Sequence, residues 1–201
     1  MRASTFLLCL TALPHAVGAT QLTAEEQIAN AVLPLPPSAR AAATVLGYGA
    51  DGSVLTLREG TNGFVCEADR PGNDVFYVHC YPSSLRAYIE RERELMAAGR
   101  RGSALDEVLD PEVRQGELQI PMGAVRSLMS GRINPQTGVP DSVTLRYEFL
   151  VPFATGPQLA IGDQARGDLP YIMSAGTYEA HVMVAGERRA WAEREGMATV
   201  P

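Results

Sequence analysis

Two histidines, His79 and His181, carry most of the chemistry open to the body of this 201-residue chain. Imidazole titrates near neutral pH and ligates metals, so each is a candidate general acid, general base or metal ligand. The carboxylates able to help them are Glu67 and Glu148, which completes a catalytic candidate set of His181, His79, Glu67 and Glu148. Met183 follows His181 at strand spacing. Its soft thioether makes His181, Met183 and His79 candidate ligands for copper or another divalent metal. Against these readings stands a plainer one: a histidine on an apolar strand is more often a hydrogen-bonded packing residue. Glu148 beside Arg146 likewise reads as a surface ion pair.

The chemistry depends on the compartment. Arg2 precedes the apolar run Phe6 to Leu10, and Pro14 and the small residues Ala16 to Ala19 follow. That layout is a secretory signal over residues 1–19, with cleavage between Ala19 and Thr20. The apolar run is far shorter than the roughly 20 residues of a spanning helix, and Cys9 lacks the small preceding residue of a lipid-attachment site. The mature chain is therefore expected to be soluble, without stable membrane insertion, and periplasmic or secreted.

Removing 19 of 201 residues leaves 182, a length that suits a single globular α+β domain over 20–201 and buries roughly 70% of the unfolded chain's surface. The 17 basic residues are all arginine, and the net charge of −6 becomes −7 without Arg2. With the arginines scattered among acids, nucleic acid is not an expected partner. Export also decides the cysteines: Cys66 and Cys80 read as one disulfide. A two-residue turn at Pro71-Gly72 would put them on opposite sheet faces, so the bridge requires a longer or bulged loop.

The elements that position these residues follow from pattern. Thr23 with Glu26 is a capping box for a helix through Ala31, stopped by the prolines from Pro34 to Pro37. Thr44 to Tyr48, Val54 to Arg58, Gly63 to Ala68 and Val75 to Tyr81 read as strands of an antiparallel meander, joined by Gly- and Asn-rich turns. Pro82 to Ala98 is an amphipathic helix whose Arg/Glu run reads as a solvated face. Ser103 to Gln115 reads as one or two short helices, with a second start at Asp110-Pro111, and Pro121 to Met129 as another helix. Val143 to Val151 alternates cleanly as a strand, and His181 to Ala185 is the last one. The long Pro152 to Ala180 segment reads as a functional or mobile loop that roofs the sheet's polar face, and Glu187 to Met197 as a docking helix or frayed end. The expected fold is α+β: an antiparallel sheet of about five to six strands, a meander plus C-terminal strands, with helices packed mainly on one face. If the disulfide forms, alternation sets Glu67, Tyr77 and His79 on the face opposite Cys66 and Cys80, where His79 could meet Glu67.

Marked motifs fail on context. Gly47 to Gly52 spells GxGxxG, but a strand follows it instead of a helix, so it reads as a hairpin turn. Arg166-Gly167-Asp168 lies in a Gly/Asp/Arg-rich loop where chance matches are easy. Nucleophile-elbow, zincin, P-loop, EF-hand and paired CxxC patterns are absent from the sequence, which weakens the well-marked enzyme classes.

The segments Arg58-Glu59-Gly60-Thr61-Asn62-Gly63-Phe64, Cys66, Pro71-Gly72-Asn73-Asp74, Cys80, Pro152-Phe153-Ala154-Thr155 and Ala180-His181-Val182-Met183 together resemble a family of exported bacterial proteins of unknown function. The resemblance implies that the Asn-Gly turn, the cysteine pair and His181 belong to one structural unit, and it implies no activity or cofactor. Two functions follow from the residues. The favoured one is a noncatalytic small-ligand binding or interaction module, with a small molecule or protein as partner. The alternative is a hydrolase-like or metal-dependent enzyme using His181.

Overall fold

A computed structural model describes residues 22–196; the leader, its Ala19–Thr20 boundary and Met197 lie outside them. The capping box forms: Thr23 Oγ1 accepts from the Glu26 amide at 3.2 Å, and Glu26 Oε2 accepts from the Thr23 amide at 2.8 Å. It opens α1 (Ala24–Ala31). From α1 the Gln27 carboxamide accepts from the Tyr48 amide at 2.8 Å and donates to the Tyr48 carbonyl at 3.1 Å, tying the helix to the end of β1 (Thr44–Tyr48). The short α2 (Pro37–Arg40) lies between them in the chain. Between β1 and β2 (Val54–Arg58) the GxGxxG segment makes a hairpin turn, with Gly52 at φ +78° and Asp51 Oδ1 accepting from the Ser53 amide.

The strands do not continue as an antiparallel meander. After β2 the chain crosses the start of β1, where the amides of Thr61 and Asn62 both donate to the Ala42 carbonyl. Gly60 permits the crossing, since a Cβ there would stand 2.1 Å from the Thr44 nitrogen. The chain thus enters on the far side of β1, and β3 (Phe64–Glu67) pairs with β1 in parallel. β4 (Val75–Pro82) returns antiparallel to β3 through a loop over residues 68–74. That loop is long enough to set Cys66 opposite Cys80, where they form a disulfide with their Cα atoms 4.0 Å apart.

A 3₁₀ turn at Ser83–Leu85 leads into α3 (Arg86–Ala97). α4 (Ser103–Arg114) follows as one helix containing Pro111. Asp110 does not open a second helix; its carboxylate accepts from the Tyr178 amide at 2.6 Å. The helix expected over Pro121 to Met129 is instead the approach to a strand, β5 (Val125–Arg132). Gly123, at φ +77°, donates to the Leu150 carbonyl, and β5 then pairs with a neighbour on each side. Leu128 and Met129 are adjacent yet both buried. A central strand covered on both faces has no period-two pattern to announce it.

β6 (Ser142–Leu150) is the alternating strand expected. Within residues 152–180 the chain forms α5 (Gly156–Leu159) and β7 (Tyr171–Met173). β8 (His181–Ala190) runs beyond Ala185, and a 3₁₀ helix at Trp191–Gly196 ends the described chain. The fold is α+β, with one mixed sheet of eight strands in the order β2-β1-β3-β4-β5-β6-β8-β7. β5 and β7 account for the excess over the six strands read from the sequence.

Helices cover both faces rather than mainly one. On the disulfide face Ala31, Val32 and Leu35 pack on Val45, Cys66 and Cys80, and Trp191 meets Phe76 edge-on at 4.8 Å. On the other face α3 and α4 bring Tyr88, Ile89, Leu105 and Leu109 onto Leu46, Val65, Tyr81 and Leu150. Among the described residues no helix is long and apolar enough to cross a membrane.

Since the disulfide closes a loop of about 15 residues, replacing both cysteines by alanine is expected to remove about 3 kcal/mol of stability. Urea unfolding of the Cys66→Ala/Cys80→Ala chain measures it. A double variant as stable as the oxidised protein would mean that the ladders and helices alone hold this register.

Candidate functional site

Alternation gives the sheet two unlike faces. Cys66 and Cys80 point to one, so Glu67 and His79, themselves a cross-strand pair, point to the other, beneath α3. There Glu67 is the shared acceptor of a buried network. One carboxylate oxygen takes the Tyr81 hydroxyl at 2.8 Å and the Arg93 guanidinium; the other faces His79 Nε2 at 3.4 Å. The His79 ring lies between Tyr77 and Tyr81, with centroids 5.4 and 5.5 Å away. Burial alone would raise the Glu67 pKa, but His79, Arg93 and Tyr81 outweigh it and bring the carboxyl down from 4.5 to about 2. Burial, with Glu67 alongside, pushes the Tyr81 phenol upward, so it stays a neutral donor.

A second network lies on the same face. Arg126 on β5 stands opposite Glu148 on β6, and its guanidinium donates to that carboxylate. Burial alone would lower the Arg126 pKa, but Glu148 beside it turns the shift upward, so the guanidinium keeps its charge. Arg146 does not make the expected surface pair with Glu148; it donates to Ser130 Oγ at 3.0 Å, and Glu148 is buried. His181 Nδ1 is 2.8 Å from the Glu179 carbonyl. A carbonyl only accepts, so Nδ1 carries the proton, and Nε2 is left 3.8 Å from Glu148 Oε1.

Each sequence-predicted histidine thus meets a sequence-predicted carboxylate, His79 with Glu67 and His181 with Glu148, but the two pairs do not meet each other. β4 and β8 are separated by β5 and β6, which is three strand spacings or about 14 Å. His181 and Met183 share a face, and Met183 stands opposite Glu148 in register, while His79 lies beyond the reach of any ion they could hold. Among the described residues no group of three or more His, Cys, Asp and Glu side chains is arranged to hold a metal. His79 Nδ1 and His181 Nε2 are sealed from solvent and have no hydrogen-bond partner.

Beside the Glu67 network a cleft of about 830 Å³ opens between the β1–β2 hairpin, the β3–β4 loop and α3. Glu67, Asp69, Tyr77, His79, Glu92 and Arg93 line its polar part, and Val54, Val75, Ile89 and Met96 its apolar part. Its roof is α3 and not the segment from Pro152 to Ala180, which packs elsewhere on the helices: Tyr178 meets the Tyr88 ring at 5.9 Å, and Phe153 lies 3.7 Å under the Arg114 guanidinium. Burial raises the Asp69 carboxyl from 3.8 to about 6 although the amides of Tyr77 and Arg70 oppose it. The Glu92 carboxyl is also raised by burial, against the pull of Arg126.

Arg93 and Glu92 belong to the Arg/Glu run that reads as solvated, and Asp69 to a turn. A signal was nonetheless present: Leu85, Tyr88, Ile89, Glu92, Arg93 and Met96 follow the i, i+3, i+4, i+7, i+8, i+11 spacing of one helix face. Charges at those positions must point where the apolar residues point. Arg126 had no such signal, because β5 itself was hidden. No family model, curated protein or solved structure matches this chain.

The two carboxyls give opposite acid responses. Glu67 has a depressed pKa, so its contribution is present above pH 4.5 and lost as pH falls toward 2. Glu67→Gln is expected to cost on the order of 3 kcal/mol at pH 7, a difference that shrinks across that window. Denaturant unfolding at pH 7, 4 and 2 measures it, and a constant difference would contradict the assignment. Asp69 has a raised pKa, so the folded state loses stability as pH rises from 3.8 to about 6. Asp69→Asn, which keeps an acceptor for the Tyr77 amide, is expected to melt higher than the parent at pH 7.5 and at the same temperature below pH 3.8.

Proposed function

We propose that this is an exported, noncatalytic binding module whose ligand site is the cleft between α3 and the β3–β4 floor. The observation that carries this reading is the contrast between sealed histidines and an open cleft. A general base must come within hydrogen-bond reach of the proton it removes. The spare nitrogens of His79 and His181 are both closed off, and Glu67 and Glu148 are engaged by arginines. The cleft has the form of a small-molecule pocket, with apolar walls and a few converging polar groups. The buried disulfide supports an oxidising compartment, as does the leader-like N-terminal sequence. The enzyme alternative, a hydrolase-like or metal-dependent activity of His181, has no comparable observation behind it.

Native mass spectrometry with a defined mixture of amino acids, sugars, nucleosides and fatty acids tests this reading. Saturable binding of one class with its mass unchanged is expected. Ala97→Trp, at an exposed position on the cleft wall, is expected to weaken it at least about tenfold, which is 1.4 kcal/mol. His181→Gln is expected to leave it unchanged. Turnover of any component that disappears in His181→Gln would reverse the conclusion in favour of the enzyme.

A further inference from the structure

The charges lining the cleft sort by depth. Glu67 and Arg93 form an ion pair at the floor. That leaves two half-buried carboxyls, Asp69 and Glu92, and two exposed guanidiniums at the mouth, Arg70 and Arg101. Among the described residues no cation pairs with either carboxyl. Asp69 is answered by backbone amides alone, that of Tyr77 at 2.9 Å and that of Arg70, and Arg126, which pulls on Glu92, is paired with Glu148. Nor does a carboxylate among the described residues pair with Arg70 or Arg101. Arg101 is held in place by donating to the carbonyls of Met96 and Arg100 at the end of α3.

A partly desolvated carboxyl without a counter-charge is costly, and a ligand that brings the missing cation recovers that cost on binding. The exposed arginines act the other way, repelling a bare cation and attracting an anion. Tyr77, a residue 39% exposed on the cleft wall, offers an aromatic ring to an ammonium. Val54, Val75 and Met96 give the space between the two charged zones an apolar wall.

We propose that the cleft takes a small zwitterion with an apolar body, a free amino acid or a short peptide. Its ammonium lies inward between Asp69, Glu92 and the Tyr77 ring, and its carboxylate lies outward against Arg70 and Arg101. The raised carboxyls of Asp69 and Glu92 agree with this assignment, because each would ionise fully against an ammonium. Neutral sugars leave both sets of charges unanswered, and phosphates would face the two acids. The proposal rests on the cleft being the ligand site and adds the class of ligand.

Leucine, leucyl-leucine, leucinamide and N-acetylleucine, titrated at pH 7.5 with the Met96 methyl and Tyr77 ring followed by NMR, separate the charges. Leucine or leucyl-leucine is expected to saturate both signals, and whichever binds tighter identifies amino acid or peptide as the natural size. Leucinamide and N-acetylleucine, each missing one charge, are expected to bind about tenfold more weakly. Glu92→Gln, which removes a strained charge and does not threaten the fold, is expected to weaken leucine about tenfold. Arg101→Ala is expected to erase the advantage of leucine over leucinamide. N-acetylleucine binding as tightly as leucine, or indifference to Glu92→Gln, would overturn the zwitterion. A sugar such as maltose moving the Met96 and Tyr77 signals while leucine does not would also overturn it but leave the cleft as the ligand site. Silence from all of these probes and from the mixed library would remove the site as well.

Discussion

A carboxylate on the inner face of a sheet persists only where positive charge and hydrogen bonds replace the water it has lost. Glu67 meets that demand with groups from two elements, His79 and Tyr81 on β4 and Arg93 on α3. The consequence reaches the helix. Arg93 must turn toward the sheet, and its neighbour Glu92, about 100° around the helix, is carried to the edge of the same face. Glu92 therefore lines the cleft without a cation of its own. The acid that Glu92 presents to the cleft is a by-product of neutralising the charge beneath it.

The disulfide enters the same chain of cause. Cys66 and Glu67 are adjacent, as are Cys80 and His79, so a bond that sets Cys66 against Cys80 on one face sets Glu67 against His79 on the other. A one-residue slip of this pairing would send Glu67 into the apolar α1 side among Ala31, Val32 and Leu35 and away from Arg93. One covalent bond thus holds the register on which the polar network depends. The Gly60 crossing completes the arrangement by placing β1 rather than β2 next to β3, so that Leu46 and Glu67 share a face and the β1–β2 hairpin forms one wall of the cleft.

What could be read in the sequence was whatever has a one-sided pattern. The Thr23 capping box, β1, β2 and β6 were legible because a cap pair or a turn marks their ends, or because one face alternates. The His79–Glu67 pair was legible in the same way, because each stands one residue from a cysteine and so on the opposite face, whereas the meeting of His181 with Glu148 depended on a pairing of the last long strands that no local pattern records. β5 was not, because helices or neighbouring side chains cover both its faces and Leu128 and Met129 are both interior. With β5 unread, Arg126 had no place, and Glu148 was matched with Arg146 instead. The parallel pairing of β1 and β3 was hidden for a different reason. Thr61-Asn62-Gly63 is turn chemistry in either topology, and the local turn does not record that the chain has already crossed Ala42.

Buried ion pairs seldom stabilise a fold more than apolar side chains of the same volume would. Glu67 with Arg93, and Glu148 with Arg126, therefore need an explanation other than stability. For the second pair the surroundings supply one: Glu148 Oε1 lies 3.8 Å from Nε2 of His181, whose Nδ1 donates to the Glu179 carbonyl at the entry to β8. The pair fixes where the last long strand begins. For the first pair the geometry points to orientation, because a guanidinium aimed at one carboxylate adds a directional contact to the packing of Tyr88 and Ile89 on the sheet. Together they hold the rotation that presents Glu92 to the cleft and leaves Met96 on its wall.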